Sequence, residues 1–355
     1  MVPSTNTIRP RRLVDWWTDD PSNPGRASLS HPAVQQLIAE IAADCRVTDL
    51  GGTMSLNVRI DPAGLVLRVH QPFVSRHRLL ALQAVRRDLD RQGLGVPVPI
   101  ARRGSTVFRC GDRWAELEPY IPHEKPAPAL ASYSWLFGAM GRLHRALVAL
   151  DLTVPRPLVA TYAPPGSLRR WLRVTASAVQ DDAEARDIVR RTRNLLQPLQ
   201  TQWVAATRLP TQLVHGDMRL GNVCRSAVGD TVYLDFGFLA FRPRIHDLAY
   251  SIAFMLRALN GDSVPARFSW QSVPQLIEEY ECTATAPLTA LERDALAAYT
   301  AAVPLYFSAL AGFSNDPVRQ LRASAPFLSL SEWLLAYPRA YREALADHGD
   351  AYLQL

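Results

Sequence analysis

Apolar residues recur along this chain in two periods, and the change between them divides it. From His31 to Cys45 (HPAVQQLIAEIAADC) the apolar positions Val34, Leu37, Ile38 and Ile41 fall at helical spacing, with a proline in the first turn. Short strand-like runs follow. VTDL leads into Gly51-Gly52-Thr53, and SLNVRI and LVLRVH flank Asp61-Pro62-Ala63-Gly64 as a hairpin. STVFRC and RWAELEPYI flank Gly111-Asp112 as a second hairpin. Between the hairpins, Ser75 to Arg91 reads as an amphipathic helix, capped by Ser75 and ended by Gly93 and Gly95. Pro122 to Pro128 is Pro-rich. From Tyr133 the helical period dominates, beginning with YSWLFGAMGRLHRALVAL. It is broken by one strand-rich stretch, TQLVHGD and VYLDFG about a turn at Gly229-Asp230.

The elements are therefore segregated, which predicts an α+β fold rather than βαβ alternation. We expect a lead-in segment over 1–30, an N-terminal lobe over 31–121, a hinge or linker over 122–132 and a C-terminal lobe over 133–355. A cleft between two such lobes is a natural ligand site.

Composition narrows the function. With 355 residues, 48% hydrophobic and 20% charged, the chain can bury sizeable cores. No apolar run is expected to reach the ~18–20 residues of a membrane span. The N-terminus has no apolar segment of secretory type, so a cytoplasmic protein without a membrane partner is expected. The net charge of +6 is spread as Arg pairs, not gathered into a stripe with interleaved aromatics, which speaks against nucleic acid. Cys45, Cys110, Cys224 and Cys282 show no metal-ligand spacing and read as reduced thiols. Lys125 is the one lysine.

The chemistry-bearing stretch is His215-Gly216-Asp217-Met218-Arg219-Leu220-Gly221-Asn222, followed by Tyr233-Leu234-Asp235-Phe236-Gly237. Asp217 leaves a strand end, Asn222 follows five residues later, and Asp235 ends the next strand. Three oxygen-bearing side chains would then converge at one end of a hairpin. Mg²⁺ takes one or two carboxylates plus substrate phosphates, and a carboxylate left off the metal can receive a hydroxyl proton. That division of labour is the one used in phosphoryl transfer.

Residues 215–247 resemble the Brenner-type motif of the aminoglycoside phosphotransferase and choline kinase superfamily, and the resemblance extends over about 45–310. It implies a bilobal protein-kinase-like fold, with Asp217 as the catalytic aspartate, Asn222 and Asp235 as Mg²⁺ ligands and Asp247 as a brace. Arg219 would steady the transferred phosphate. Gly51, Gly52, Thr53 and Ser55 occupy the place of the phosphate-covering loop. Arg68 stands where the family has a phosphate-pairing lysine, and Gln83 where it has the glutamate partner of that lysine. The hinge that reads adenine falls at Leu117, Glu118 and Tyr120, with Val66, Val223 and Leu234 enclosing the ring.

The function so implied is ATP- and Mg²⁺-dependent phosphorylation of a hydroxyl on a small molecule, an antibiotic or other natural product. A metabolic kinase of an aminoalcohol or homoserine-like substrate is the alternative, and a nucleotide-binding pseudokinase the alternative of another class. The acceptor is expected in the helical lobe near Asp217. Its walls would be Tyr250, Trp270 and Tyr306, with the carboxylates Glu278, Glu279 and Glu281 favouring an amine-bearing or sugar-like alcohol.

Overall fold

The structure, a computed structural model, describes residues 26–42, 45–52, 54–158, 160–261, 265–268 and 270–338. Most of the lead-in segment and Thr53 therefore lie outside the described residues.

The N-terminal part begins with helix α1 (Pro32–Ile41), whose proline sits in the first turn. Strands β1 (Arg46–Asp49), β2 (Leu56–Asp61) and β3 (Leu65–Val69) come next, then helix α2 (Arg76–Arg91) and strands β4 (Phe108–Cys110) and β5 (Arg113–Pro119). Ser75 caps α2 by accepting from the Arg78 amide at 3.2 Å. The strands form an antiparallel sheet in the order β1-β2-β3-β5-β4, with Val66 opposite Glu118 and Arg68 opposite Glu116. Strand alternation gives this sheet two unlike faces. Leu67 and Val69 of β3 and Ala115 and Leu117 of β5 pack with Val34, Leu37 and Ile38 of α1. Burying each such Leu or Val contributes roughly 1.5–3 kcal/mol. The other face turns Arg68, Glu116 and Glu118 toward α2. Leu82, Val85 and Leu89 of α2 join the core of the helical part instead.

The Pro-rich stretch holds a short strand, β6 (His123–Glu124), and helix α3 (Leu130–Val148) starts three residues before Tyr133. Helices α4 (Pro165–Ala178) and α5 (Ala183–Gln202) precede strand β7 (Thr211–Val214). Strands β8 (Val223–Ser226), β9 (Thr231–Tyr233) and β10 (Ala240–Pro243) follow. β6 pairs with β8 and β8 with β9, while β10 pairs with β7 as a separate ribbon. Gly95, just after α2, bridges to Val232 of β9 and its carbonyl accepts the Tyr233 amide at 2.8 Å. A Cβ at Gly95 would lie 2.5 Å from the Thr231 carbonyl oxygen, so this junction requires glycine.

Helices α6 (Ile245–Asn260), α7 (Ser272–Glu281), α8 (Ala290–Leu310), α9 (Pro317–Ser324) and α10 (Leu328–Ala336) complete the chain's described elements. The stretch containing α8, Ala290–Phe313, is long and apolar enough to cross a membrane by length and composition, contrary to the sequence expectation. It is mostly buried among α4, α5, α6 and α10, as the central helix of the C-terminal core. Its few charged residues sit in the first turns, where Thr289 and Glu292 form a reciprocal cap, and the buried Glu292 also pairs with Arg244 at 2.7 Å.

Candidate active site

Strand β7 delivers His215, Gly216 and Asp217 into a loop held from below. Asp247, in the first turn of α6, accepts the His215 and Gly216 amides at 2.8 Å each and meets His144 Nε2 at 3.1 Å. Burial pushes the Asp247 pKa up, but the His144 hydrogen bond and the neighbouring histidines outweigh it and hold it at about 2. The sequence marked Asp247 as a brace; His144, near the end of α3, was not tied to it. Gly216 has φ +84°, and a Cβ there would lie 2.6 Å from the Phe238 carbonyl oxygen. Thr161 donates to the Gly216 carbonyl and lies 3.0 Å from His246 Nε2.

Asp217 is 3% exposed. Its Oδ2 accepts from Asn222 Nδ2 at 2.7 Å. Its Oδ1 lies 3.1 Å from Arg219 Nε, but without hydrogen-bond geometry it remains a buried oxygen with no partner. Burial raises the Asp217 pKa and the Asp235 charge adds to this, while Arg219, His215 and Asn222 oppose it. The Tyr250 hydroxyl is directed at the Asp217 carboxylate, and buried Tyr306 also feels its charge. Asn222 directs its amide nitrogen at Asp217 (2.8 Å to the carbonyl as well), which leaves its amide oxygen for another partner.

Asp235, two residues beyond β9, lies in the left-handed region, φ 58°, ψ 64°. An αL conformation at a non-glycine residue is uncommon and turns this side chain back toward the loop. Its carboxylate is 42% exposed and lies 3.1 Å from Arg68 Nη1. Burial pushes its pKa up, but Arg68, His215 and Arg219 hold it below the usual carboxylate value.

The partners of Arg68 correct the sequence reading. Gln83 does not reach it; its amide donates to Glu116 Oε2 at 3.0 Å and to the Thr106 carbonyl at 3.1 Å. Glu118, 3.6 Å from Arg68, is the anion, and it also accepts from Arg86 at 2.7 Å. Arg86 further pairs with Glu116, whose other oxygen meets His70 at 3.1 Å. The carboxylates thus sit on β5, between the Arg68 guanidinium on β3 and the Arg86 guanidinium on α2. Arg86 lies three residues after Gln83, one turn along the same face, and that spacing was the available signal.

The side chains at the expected hinge are engaged away from the cleft, and adenine reading there would rest on backbone groups. The Glu118 side chain is buried in these ion pairs, and Leu117 points to the opposite face, into the core under α1. Tyr120 donates its amide to the Gly64 carbonyl at 2.8 Å, and its ring carries the Arg59 guanidinium at 4.1 Å. Val66 is buried on the Arg68 face, Val223 is fully buried, and Leu234 is half-buried, donating to the Asn222 carbonyl at 2.8 Å. Gly51 and Gly52 have φ +80° and +112°. Asp49 accepts the Gly51 amide at 2.8 Å, and Arg26 joins Asp49 to the Gly52 carbonyl. Ser55 is half-buried, its carbonyl accepting from Asn57.

Of the expected acceptor walls, only Tyr250 and Tyr306 lie near Asp217. Trp270 stacks on Trp333 with centroids 4.4 Å apart. Glu278 and Glu279 are exposed on α7, which packs on α3, and Glu281 pairs with Arg293 at 2.6 Å. The spacing that made EEYE look like an acceptor wall is that of a solvated helix face.

Comparison with known proteins agrees with this geometry. The family model described as "Phosphotransferase enzyme family" matches residues 49–281. A search of curated proteins gave no significant match. Among solved structures, a microcompartment-associated aminopropanol kinase is 16% identical with a TM-score of 0.66, covering 87% of this chain and 98% of that one. The amicoumacin kinase hAmiN, solved with AMP-PNP, Ca²⁺ and Ami, is 16% identical with a TM-score of 0.59, covering 85% and 93%. An aminoglycoside phosphotransferase from Alicyclobacillus acidocaldarius is 14% identical with a TM-score of 0.55, covering 84% and 92%. With the family model spanning most of the chain and the fold of these kinases shared over 84–87% of it, the chain belongs to the phosphotransferase enzyme family.

Proposed function

We propose that the protein transfers the γ-phosphoryl group of ATP to a hydroxyl of an antibiotic or other small natural product, with Mg²⁺ as cofactor, in the cytoplasm. The observation that carries this reading is the buried Oδ1 of Asp217, beside Asn222 and Asp235, which accepts no hydrogen bond within the protein. A carboxylate oxygen that accepts no hydrogen bond inside the protein is suited to accept a hydroxyl proton from a substrate.

The donor set fits magnesium. The Asn222 amide oxygen and the Asp235 carboxylate are hard oxygen donors at one end of the β8–β9 hairpin, and no group of three His, Cys, Asp or Glu among the described residues is placed to hold a metal ion. Two protein ligands match an ion completed by phosphate oxygens. When bound, the ion supplies neutralisation of phosphate charge. Asp217 orients the acceptor hydroxyl and takes its proton, Arg219 faces the transferring group, and Arg68, anchored by Glu118, pairs with nucleotide phosphate in a bidentate way. Gly51, Gly52 and Ser55 cover the phosphates from above, with Val66 and Leu234 against the base.

Around Asp217 stand Arg219, Tyr250 and Tyr306, with the carboxylates of α7 elsewhere. This supports a larger polar or aromatic acceptor over a compact ammonium alcohol such as an aminoalcohol. The test is ATP turnover across aminoglycosides, nucleoside and peptide antibiotics, choline, homoserine and simple sugars. Turnover with an antibiotic and not with choline or homoserine supports the reading; the reverse replaces it with a metabolic kinase.

A further inference from the structure

Away from Asp217, Asn222 and Asp235, none of which lines it, a cavity of about 650 Å³ runs along the flank of the β7–β10 ribbon. Its walls come from the segment before α4, the first turns of α4, the start of β7, β10 and the end of α8. Most of this lining is apolar or aromatic, with Tyr162, Trp171 and Phe241 among it, and two cations, Arg156 and Arg242, face the same space.

Arg242 is the informative residue. It is 8% exposed, and its Nη1 is buried with no hydrogen-bond partner. No carboxylate lies within ion-pair distance of it among the described residues. Asp247, whose charge it feels, spends its oxygens on His144 and the His215 and Gly216 amides. The guanidinium lies 5.3 Å from the Tyr162 ring centroid, a contact too weak to replace an anion. Burial accordingly pushes its pKa down to about 10. A buried charge without a counter-ion costs several kcal/mol, and a guanidinium opening onto a cavity regains that cost by gripping a planar anion in bidentate fashion.

We infer that this cavity binds a small molecule carrying a carboxylate or phosphate on a flat aromatic or apolar body. The anion lies on Arg242 with Arg156, and the body lies against Tyr162 and Trp171. The site touches the phosphotransfer machinery at one point. Thr161, between the lining residues Ala160 and Tyr162, holds the Gly216 carbonyl, one residue before Asp217. The anion belongs either to the far end of the phosphoryl acceptor or to a separate molecule, and the chemistry of the cavity is the same for both.

The test is calorimetric titration of the full chain with 2-naphthoate and its neutral counterpart 2-naphthamide, alongside Mg·ATP. The carboxylate is expected to bind at least tenfold more tightly than the amide. Arg242→Met removes that difference, Ser167→Trp fills the cavity and removes both, and each variant binds Mg·ATP as the wild type does. Equal binding of the two probes, or naphthoate affinity unchanged by Arg242→Met, overturns the inference. Should Arg242→Met fail to fold, undiminished naphthoate binding in Ser167→Trp overturns it equally. Absence of Mg·ATP binding in the wild type sinks the kinase reading and leaves this one standing. Only the last arm rests on the kinase reading: naphthoate that raises the acceptor KM without lowering kcat identifies the acceptor's own anionic end, and no change in KM identifies a separate molecule.

Discussion

The Arg68 guanidinium meets the Asp235 carboxylate at 3.1 Å, although the two residues are 167 positions apart in the chain. One comes from the N-terminal sheet and the other from the turn after β9, so this contact closes the cleft on its charged side. It also joins the proposed phosphate-pairing cation to the proposed metal ligand. On the proposed function, nucleotide phosphate would take the place of Asp235 on Arg68, beside Glu118, and Asp235 would then be available to hold the metal.

Asp217→Asn is expected to lower turnover ~10²–10⁴-fold while Mg·ATP binding stays near wild type, because only the proton acceptor is removed. Turnover and nucleotide titration on the same folded sample check this. Near-normal turnover removes Asp217 from the role of base.

Asp235→Ala is expected to abolish the gain in nucleotide affinity that Mg²⁺ provides. Its carboxylate is the exposed hard donor of the site, and without it phosphate charge is left to Arg68 and Asn222. Calorimetry with and without Mg²⁺ reads the difference, and an unchanged difference excludes Asp235 as a ligand.

Arg68→Ala is expected to raise the ATP KM by roughly ten- to a hundredfold, the worth of a hydrogen bond to a charged group. Arg68→Lys keeps part of the activity, because Glu118 supplies an anionic partner that Gln83 does not. Wild-type KM and turnover in Arg68→Ala reduce Arg68 to a strand residue.

Arg86→Met is expected to destabilise the protein by up to about 3–5 kcal/mol, the cost of leaving buried carboxylates unpaired. His70, Gln83 and Arg68 take up part of that loss, so the effect lies at the lower end of the range. Urea unfolding measures it; a change under about 1 kcal/mol contradicts the buried ion pair.

His246 is buried, with its pKa pushed down to about 4 by burial and by the Arg242 charge. A histidine depressed in the folded state takes its proton first in the unfolded one. Its contribution is therefore full above the unfolded value near 6.5 and falls as the pH drops toward about 4. The loss across that window is on the order of 3 kcal/mol. Denaturation at a series of pH values should show the decline, and His246→Gln should flatten it; an equal decline in the variant points to other groups.

Much of the architecture was readable from local signals. The strand and helix periods located both N-terminal hairpins, α2 with its Ser75 cap, and the change to helices after the Pro-rich stretch, because side-chain alternation and capping act within a few residues. Asp217, Asn222 and Asp235 were found for the same reason: they flank one short hairpin, so their convergence depends on only 19 residues of chain. α8 shows the converse, since its apolar composition suits a lipid or a protein interior and only packing among its neighbours distinguishes the two.

What the sequence alone determined was thus the order of elements, the two-lobed layout and the convergence of Asp217, Asn222 and Asp235. The tertiary structure decided which charges face one another. Glu118 reaches Arg86 across 32 residues and Arg68 reaches Asp235 across 167. Whether Leu117 or Glu118 faces Arg68 followed from which side of the sheet α1 covers. Arg242 is a surface-type residue by composition and a buried, unpartnered cation by packing. Such pairings are set by the side of an element that its neighbours bury, and in one sequence that side is visible as a pattern without any sign of what lies opposite.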